Sequence, residues 1–307
     1  MSELRGFTRP ARVKRDPWLP DANPRRWRLP RGSMLVASVL LILVLGMAIV
    51  VPFLPWYDPF AQDLRNGLRA PFSSVDGQFS VLGTDTLGRD ILSRLALAGR
   101  ISLMISIIAV AISLIIGVSL GLIAGFFKGR VENLIMALAD VQLAIPRVLL
   151  LIAVVAVVGP SIPNLVVMLG VTGWISYARV SRAMALSLRE REFVLAATTQ
   201  GASSYWNIRK HLLPNVLSQM IILGSFDLGQ IIVLEASLSY LGLGVQAPLP
   251  SWGLMISEGQ TYLQSNPWLS VLPGIAIFML IGGIQFLSQR FTAESLDDTA
   301  IAAAGTA

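Results

Sequence analysis

Six long apolar stretches organise the chain. Residues 34–54 and 101–127 contain no charged residue at all. Four further stretches follow: 134–159, which includes Asp140 and Arg147; 162–182, opened by Pro160 and Pro163; 216–240, which includes Asp227 and Glu235; and 268–289, uncharged. A bilayer core of about 30 Å needs roughly 20 apolar residues of helix, because every backbone group must be satisfied within its own segment. The pattern therefore predicts an all-α polytopic membrane protein of six transmembrane helices over residues 34–290. A tail of residues 1–33 precedes it, and a tail of residues 291–307 with an Ala-rich, disordered end follows. Pro146 is predicted to bend the third span.

Composition agrees. Apolar residues make up 54% of the 307 and charged residues 14%, too greasy a balance for a soluble surface. With no cysteine and one histidine, disulfide frameworks, thiolate chemistry and zinc sites are excluded. Residues 1–33 hold nine Lys and Arg against three Asp and Glu, which supplies the whole net charge of +6. If the N-terminus is cytoplasmic, eighteen Lys and Arg fall inside and five outside, so the positive-inside bias predicts that both termini are cytoplasmic. The segments 56–100, 159–163 and 243–267 are then external. The first apolar stretch follows a long tail and ends in PFLPWYDP without a small-residue cleavage pattern, so it is read as a retained helix. Topology and attraction to anionic lipid account for the basic tail, and no nucleic-acid partner is expected.

The chain has no phosphate-cradling GxxxxGK[ST] loop: its three lysines, Lys14, Lys128 and Lys210, follow Val, Phe and Arg. Nucleotide energy would have to come from another polypeptide, and no catalytic, cofactor or metal site is expected here. Asp140, Arg147, Asp227 and Glu235 are the ionisable residues expected within the membrane. Such groups face a water path or pair with one another, and both readings stand, with the pathway favoured more for Asp227 and Glu235. In residues 83–103, Asp85, Arg89, Asp90, Arg94 and Arg100 alternate in sign and are expected to pair locally. In residues 238–253, Gly242, Gly244, Pro248, Pro250 and Gly253 enforce turns, and Trp252 suits an interfacial anchor.

The loop 189–215 is too long for a minimal connector. Val194, Ala197, Gly201, Tyr205, Ile208 and Leu212 recur at helical spacing, and Gly201 before Ala202, Ser203 and Ser204 reads as a helix stop followed by a cap. Two short helices at an angle are predicted. From composition they serve equally well as a membrane-surface element or as a partner-docking pair.

This loop resembles the EAA loop of the integral membrane subunits of bacterial ABC importers, with the pattern EAA, three residues, G, nine residues, IxLP. Ala196, Ala197, Gly201, Leu213 and Pro214 match in register. Leu195 stands in place of Glu, with Glu192 three residues earlier, and His211 stands in place of Ile. Residues 83–103 and 238–253 are similar to segments of the C-type subunits of dipeptide, oligopeptide and nickel permeases, and the resemblance covers residues 34 to about 298. It implies a type I importer permease forming half of a path for peptides in a bacterial inner membrane. A homologous second permease, two ATPase subunits that bind ATP and magnesium, and an external substrate-binding protein would accompany it. Glu192, Ala196, Ala197, Gly201, Ile208, His211, Leu213 and Pro214 would contact the ATPases, and Gly242, Gly244, Pro250 and Trp252 the binding protein. The rival readings are an ion-gradient-driven transporter, for which no inverted repeat is found, and a membrane scaffold or channel.

Overall fold

The computed structural model describes residues 31–75 and 78–304, so the basic tail lies almost wholly outside the described residues. Helix α1 (Arg31–Val50) leads through a 3₁₀ turn into an excursion that carries a small antiparallel hairpin, β1 (Ser73–Val75) with β2 (Gln78–Ser80), in register Ser74 to Phe79. The body follows: α2 (Ile91–Phe127), α3 (Gly129–Leu143), α4 (Arg147–Val158), α5 (Ile162–Thr172) and α6 (Trp174–Leu188). Then come α7 (Glu192–Thr199), α8 (Ser204–Asn207), a π-helical turn (Ile208–Leu212) and α9 (Leu213–Tyr240). Helices α10 (Trp252–Gly259) and α11 (Trp268–Ala304) complete the chain.

Among the described residues, four continuous helices are long and apolar enough to cross a membrane: Leu35–Phe53, Ile91–Phe127, Ser204–Tyr240 and Trp268–Ser288. The expected third span is broken. Its halves α3 and α4 meet at 84° across residues 144–146, where Pro146 takes an extended conformation ahead of α4. The fourth expected span, 162–182, is divided at Gly173 into α5 and α6. Three other boundaries differ from the apolar pattern. Helix α2 begins ten residues before 101, because the Asp90 carboxylate accepts the Ser93 N–H at 2.8 Å and caps a turn that hydropathy does not see. The fifth helix begins at Ser204, since the π-helical turn carries α8 into α9 without a stop. The last helix runs on to Ala304, so the C-terminal segment is helical where disorder was expected.

The most intimate packing is between α2 and α6. Gly117, Gly121 and Gly125 form a row at four-residue spacing on α2, and a methyl group built on each would lie 2.5, 2.7 and 2.6 Å from the Cβ atoms of Tyr177, Ser181 and Ala185, the matching row on α6. Both rows ascend together, so the helices run parallel with their backbones in close approach, the device by which small residues join helices in lipid. Gly170 meets Ile112 in the same way, and the Ser113 hydroxyl donates to the Gly170 carbonyl at 2.7 Å. The α5–α6 pair thus follows the 101–127 part of α2 along its length despite the break at Gly173.

The alternating charges before α2 pair locally, as expected, and take one further partner from outside the segment. Asp85 accepts from both Arg89 (2.6 Å) and Arg94, and Glu258 of α10 reaches Arg94 at 2.9 Å. Asp90 is left to cap the helix. The network ties the excursion, α2 and α10 into one end of the bundle.

Candidate functional site

Three places gather the polar and exposed features, and the first is the α7–α8 turn. Helix α7 stops at Gly201, where φ is +90°; the Ala202 N–H donates to the Ala197 carbonyl and the Gly201 N–H to that of Thr198, each at 3.0 Å. This paired closure uses a left-handed residue after the last turn, which glycine adopts without cost. Ser203 then accepts the Trp206 N–H at 3.2 Å and starts α8. An exposed ion pair of Lys128 with Glu190 (3.1 Å) joins the ends of α2 and α6 just before α7 begins.

Because the backbone reverses at Gly201, the predicted apolar stripe does not stay on one face. Val194 and Leu212 are buried and Ile208 is half-buried, packed with Val216 and Met220, while Tyr205 is 69% exposed. Phe193, Leu195, Tyr205 and Trp206 instead form an exposed apolar surface, with His211 edge-on between Phe193 (5.4 Å) and Trp206 (4.9 Å). Glu192, Ala196, Gly201 and Pro214 are exposed, Ala197, His211 and Leu213 half-buried. Tyr205 was read from the sequence as part of the apolar stripe, whereas Phe193 and Trp206 were not singled out, although Trp206 stands beside the helix-start signal.

The second place is a polar knot where the two helix breaks meet. Arg147, first residue of α4, donates from Nη2 to the Leu169 carbonyl (3.1 Å) and from Nε to Thr172 Oγ1 (3.3 Å), so it closes the carbonyl end of α5. Gln142, near the end of α3, donates to the Thr172 carbonyl at 2.9 Å and accepts from Trp174 Nε1 at 2.9 Å. Fully buried Tyr177 donates to Asp227 Oδ2 of α9 at 3.0 Å. The knot thus supplies partners for backbone groups that the breaks release, the condition for irregular backbone at membrane depth. Helices α4 and α5 have 12 and 11 residues, so at 1.5 Å per residue the knot is about 17 Å from the turn that joins them, roughly half a bilayer core. Asp140, expected beside Arg147, is apart from the knot: it is exposed and pairs with Arg179 at 2.6 Å.

Glu235 corrects an expectation. It is fully buried, accepting from Ser102 Oγ and Ser239 Oγ at 2.8 Å each, with Ser251 a third hydroxyl against it. Its carboxylate is closed off inside this subunit and lines no path within it.

That residue roots the third place, the α9–α10 loop. Ser239 also accepts the Val245 N–H at 3.1 Å, and a methyl group on Gly244 or Gly253 would lie 2.7 Å from the Cα of Ser239 or Ala236. Trp252, expected at an interface with lipid or partner, is fully buried, with Nε1 donating to the Leu95 carbonyl at 3.1 Å. Gly244 and Pro250 are buried too; only Gly242 of the expected docking residues is exposed, with Leu241, Gln246, Ala247 and Pro248. Turn glycines on a buried helix end and at a partner surface read alike in sequence, which is why Gly244 was grouped with the exposed Gly242. Trp252→Ala should destabilise the protein by about 3–5 kcal/mol, the range for deleting a buried aromatic; a thermal-aggregation assay in detergent checks this.

Residues 117–296 match the family described as binding-protein-dependent transport system inner membrane component. The chain is similar to the dipeptide transport system permease protein DppC of Alkalihalophilus pseudofirmus, 37% identical over 83% of this chain and 81% of that protein. It is also similar to the oligopeptide transport system permease protein OppC of Bacillus subtilis, 38% identical over 81% and 79%. The glutathione transport system permease protein GsiD of Pectobacterium atrosepticum is 33% identical over 91% and 93%. Among solved structures, a chain of the inward-facing MetNI methionine ABC transporter has the same fold, with a TM-score of 0.50 at 18% identity over 64% of this chain and 93% of that one.

Proposed function

This chain belongs to the family of binding-protein-dependent transport system inner membrane components, and from that premise we propose that it forms half of the translocation path of an ATP-driven importer of di- or oligopeptides. Separate ATPase subunits hold the nucleotide and magnesium, a homologous permease supplies the other half, and an external protein delivers the peptide. Both termini are cytoplasmic, and α3–α4 and α5–α6 each cross as one interrupted span.

The observation that carries this reading is the continuity of residues 204–240. The exposed surface around Tyr205 and Trp206 stands at one end of a single 37-residue helix whose body holds Asp227 in the polar knot and Glu235 under the α9–α10 loop. ATPase subunits closing on ATP press on the α7–α8 turn. At 1.5 Å per residue, the long helix carries that displacement about 35 Å to the knot and about 55 Å to the far loop. Buried packing of Val194 and Leu212 on Val216 and Met220 keeps the turn from yielding independently. On the opposite face, Gly242, Gln246, Ala247 and Pro248 present the surface for the binding protein, shaped from beneath by Gly244, Pro250 and Trp252.

The test is purification from the native membrane and reconstitution. The expected result is copurification with two ATPase chains and ATP-dependent uptake of a labelled dipeptide, with no hydrolysis by this subunit alone. Uptake driven by an ion gradient with this chain as the only protein would overturn the reading.

A further inference from the structure

Arg147 and Asp227 lie in each other's electrostatic field, yet no ion pair joins them. Arg147 is anchored through Nη2 and Nε, which leaves Nη1 without a hydrogen-bonding partner among the described residues. Asp227 is anchored through Oδ2 by the Tyr177 hydroxyl, which leaves Oδ1 likewise. Neither free atom is sealed in protein, and both side chains are half-buried. Two opposite charges are thus held apart by their anchors, each with one polar atom turned to accessible space. A knot that only repaired the helix breaks would close its charges on each other, since an unpaired charge at membrane depth is costly. One helical turn along α9, Gln230 is exposed and continues the polar edge.

We propose that Arg147 and Asp227 form a transit site for zwitterionic substrates, in which Arg147 takes a free carboxylate and Asp227 a free ammonium group. The inference rests on the peptide-importer reading and deepens it: the site favours short peptides with both ends unblocked. Tyr177, Thr172 and the Leu169 carbonyl are positioning groups that fix the two charges. A planar guanidinium suits a carboxylate, and a carboxylate suits an ammonium ion, through charge-assisted hydrogen bonds.

The assembled complex, with its own binding protein, provides the test. Uptake of a free dipeptide is compared with that of its C-amidated and N-acetylated forms, each ratio taken against the parental complex so that the binding protein's preference cancels. Arg147→Gln should raise the half-saturating concentration for the free and N-acetylated peptides at least roughly tenfold relative to the C-amidated one, and Asp227→Asn should do the mirror for the ammonium end. Arg147→Lys should recover part of the loss. A second arm bypasses delivery: the chain has no cysteine, so Gln230→Cys gives this subunit a single labelling site, whose reaction with a maleimide, read on this subunit's band, should be slowed by free dipeptide and not by a doubly blocked one. Equal loss for free and blocked peptides in the variants, or equal or no protection of the cysteine by the two peptides, would overturn the transit site while leaving a peptide-importing parent intact. A parental complex that takes up no peptide would overturn the underlying reading and the site with it.

Discussion

Gly121→Leu should leave several-fold less folded protein in the membrane than the parent, a larger loss than substitution at any exposed position of the same helix. The cause is local and geometric. A side chain at Gly121 meets the Ala178 carbonyl and lies 2.7 Å from Ser181 Cβ, 3.0 Å from the Ala178 carbonyl carbon. Two of those three atoms are backbone and cannot rotate away. Overpacking a soluble core costs about 1–3 kcal/mol where neighbours can adjust; here relief requires separating α2 from α6. Separation would also strip the contacts of Gly117 with Tyr177 and Gly125 with Ala185, and would move Tyr177 away from Asp227. A loss of even 1–2 kcal/mol alters cellular abundance several-fold. Ile115, 63% exposed on the same helix, supplies the control: Ile115→Ala should leave the level unchanged. Quantitative immunoblotting of membrane fractions and size-exclusion profiles in detergent decide the matter. Equal amounts of monodisperse Gly121→Leu and parental protein would mean that the α2–α6 seam does not hold the fold.

That seam shows what could be read from the sequence and what could not. Hydropathy marked the four continuous helices that are long and apolar enough to cross a membrane, because burial in lipid depends on local composition. The Gly117, Gly121 and Gly125 spacing was also present in the sequence and is a recognisable small-residue row, yet it does not say which helix it meets; the partner row at Tyr177, Ser181 and Ala185 is not small throughout. Pro146 announced the bend, while the break at Gly173 had only a glycine in an apolar run as its sign. Long-range polar partners were illegible for a more basic reason. Nothing near Arg94 in the chain points to Glu258, and nothing near Glu235 points to Ser102, 133 residues away. Intramembrane charge singled out Arg147 and Asp227, but it singled out Glu235 and Asp140 by the same rule. One of these is enclosed by serines and the other is exposed beside Arg179. Charge in an apolar run marks a position that needs a partner; only the fold says whether that partner is a neighbouring hydroxyl, an opposite charge or a ligand.

Gly201→Leu should abolish uptake while the variant still inserts in the membrane, and comparison with Gly201→Ala separates two reasons for a glycine at that position. The first reason is conformational: φ is +90°, so any L side chain there is strained by about 1–3 kcal/mol, and alanine and leucine share that cost. The second is external. A Cβ built on Gly201 meets nothing within 4 Å in this chain, so a side chain there starts into open space, and the bulk that leucine adds beyond alanine is set against a partner. If an ATPase subunit closes against this turn, leucine should reduce uptake and ATPase copurification at least about tenfold more than alanine does, equivalent to about 1.4 kcal/mol of lost docking. Thermal stability of the two isolated variants should be similar, because the strain is common to both. The Phe193, His211 and Trp206 contacts and the Asn207 to Thr198 bond of 3.0 Å lie to the sides of the turn and persist in either variant. Equal transport defects in alanine and leucine would assign the whole effect to the left-handed turn. Parental transport and copurification in Gly201→Leu would remove the α7–α8 turn from the coupling surface, and with it the route by which the long helix 204–240 receives its displacement.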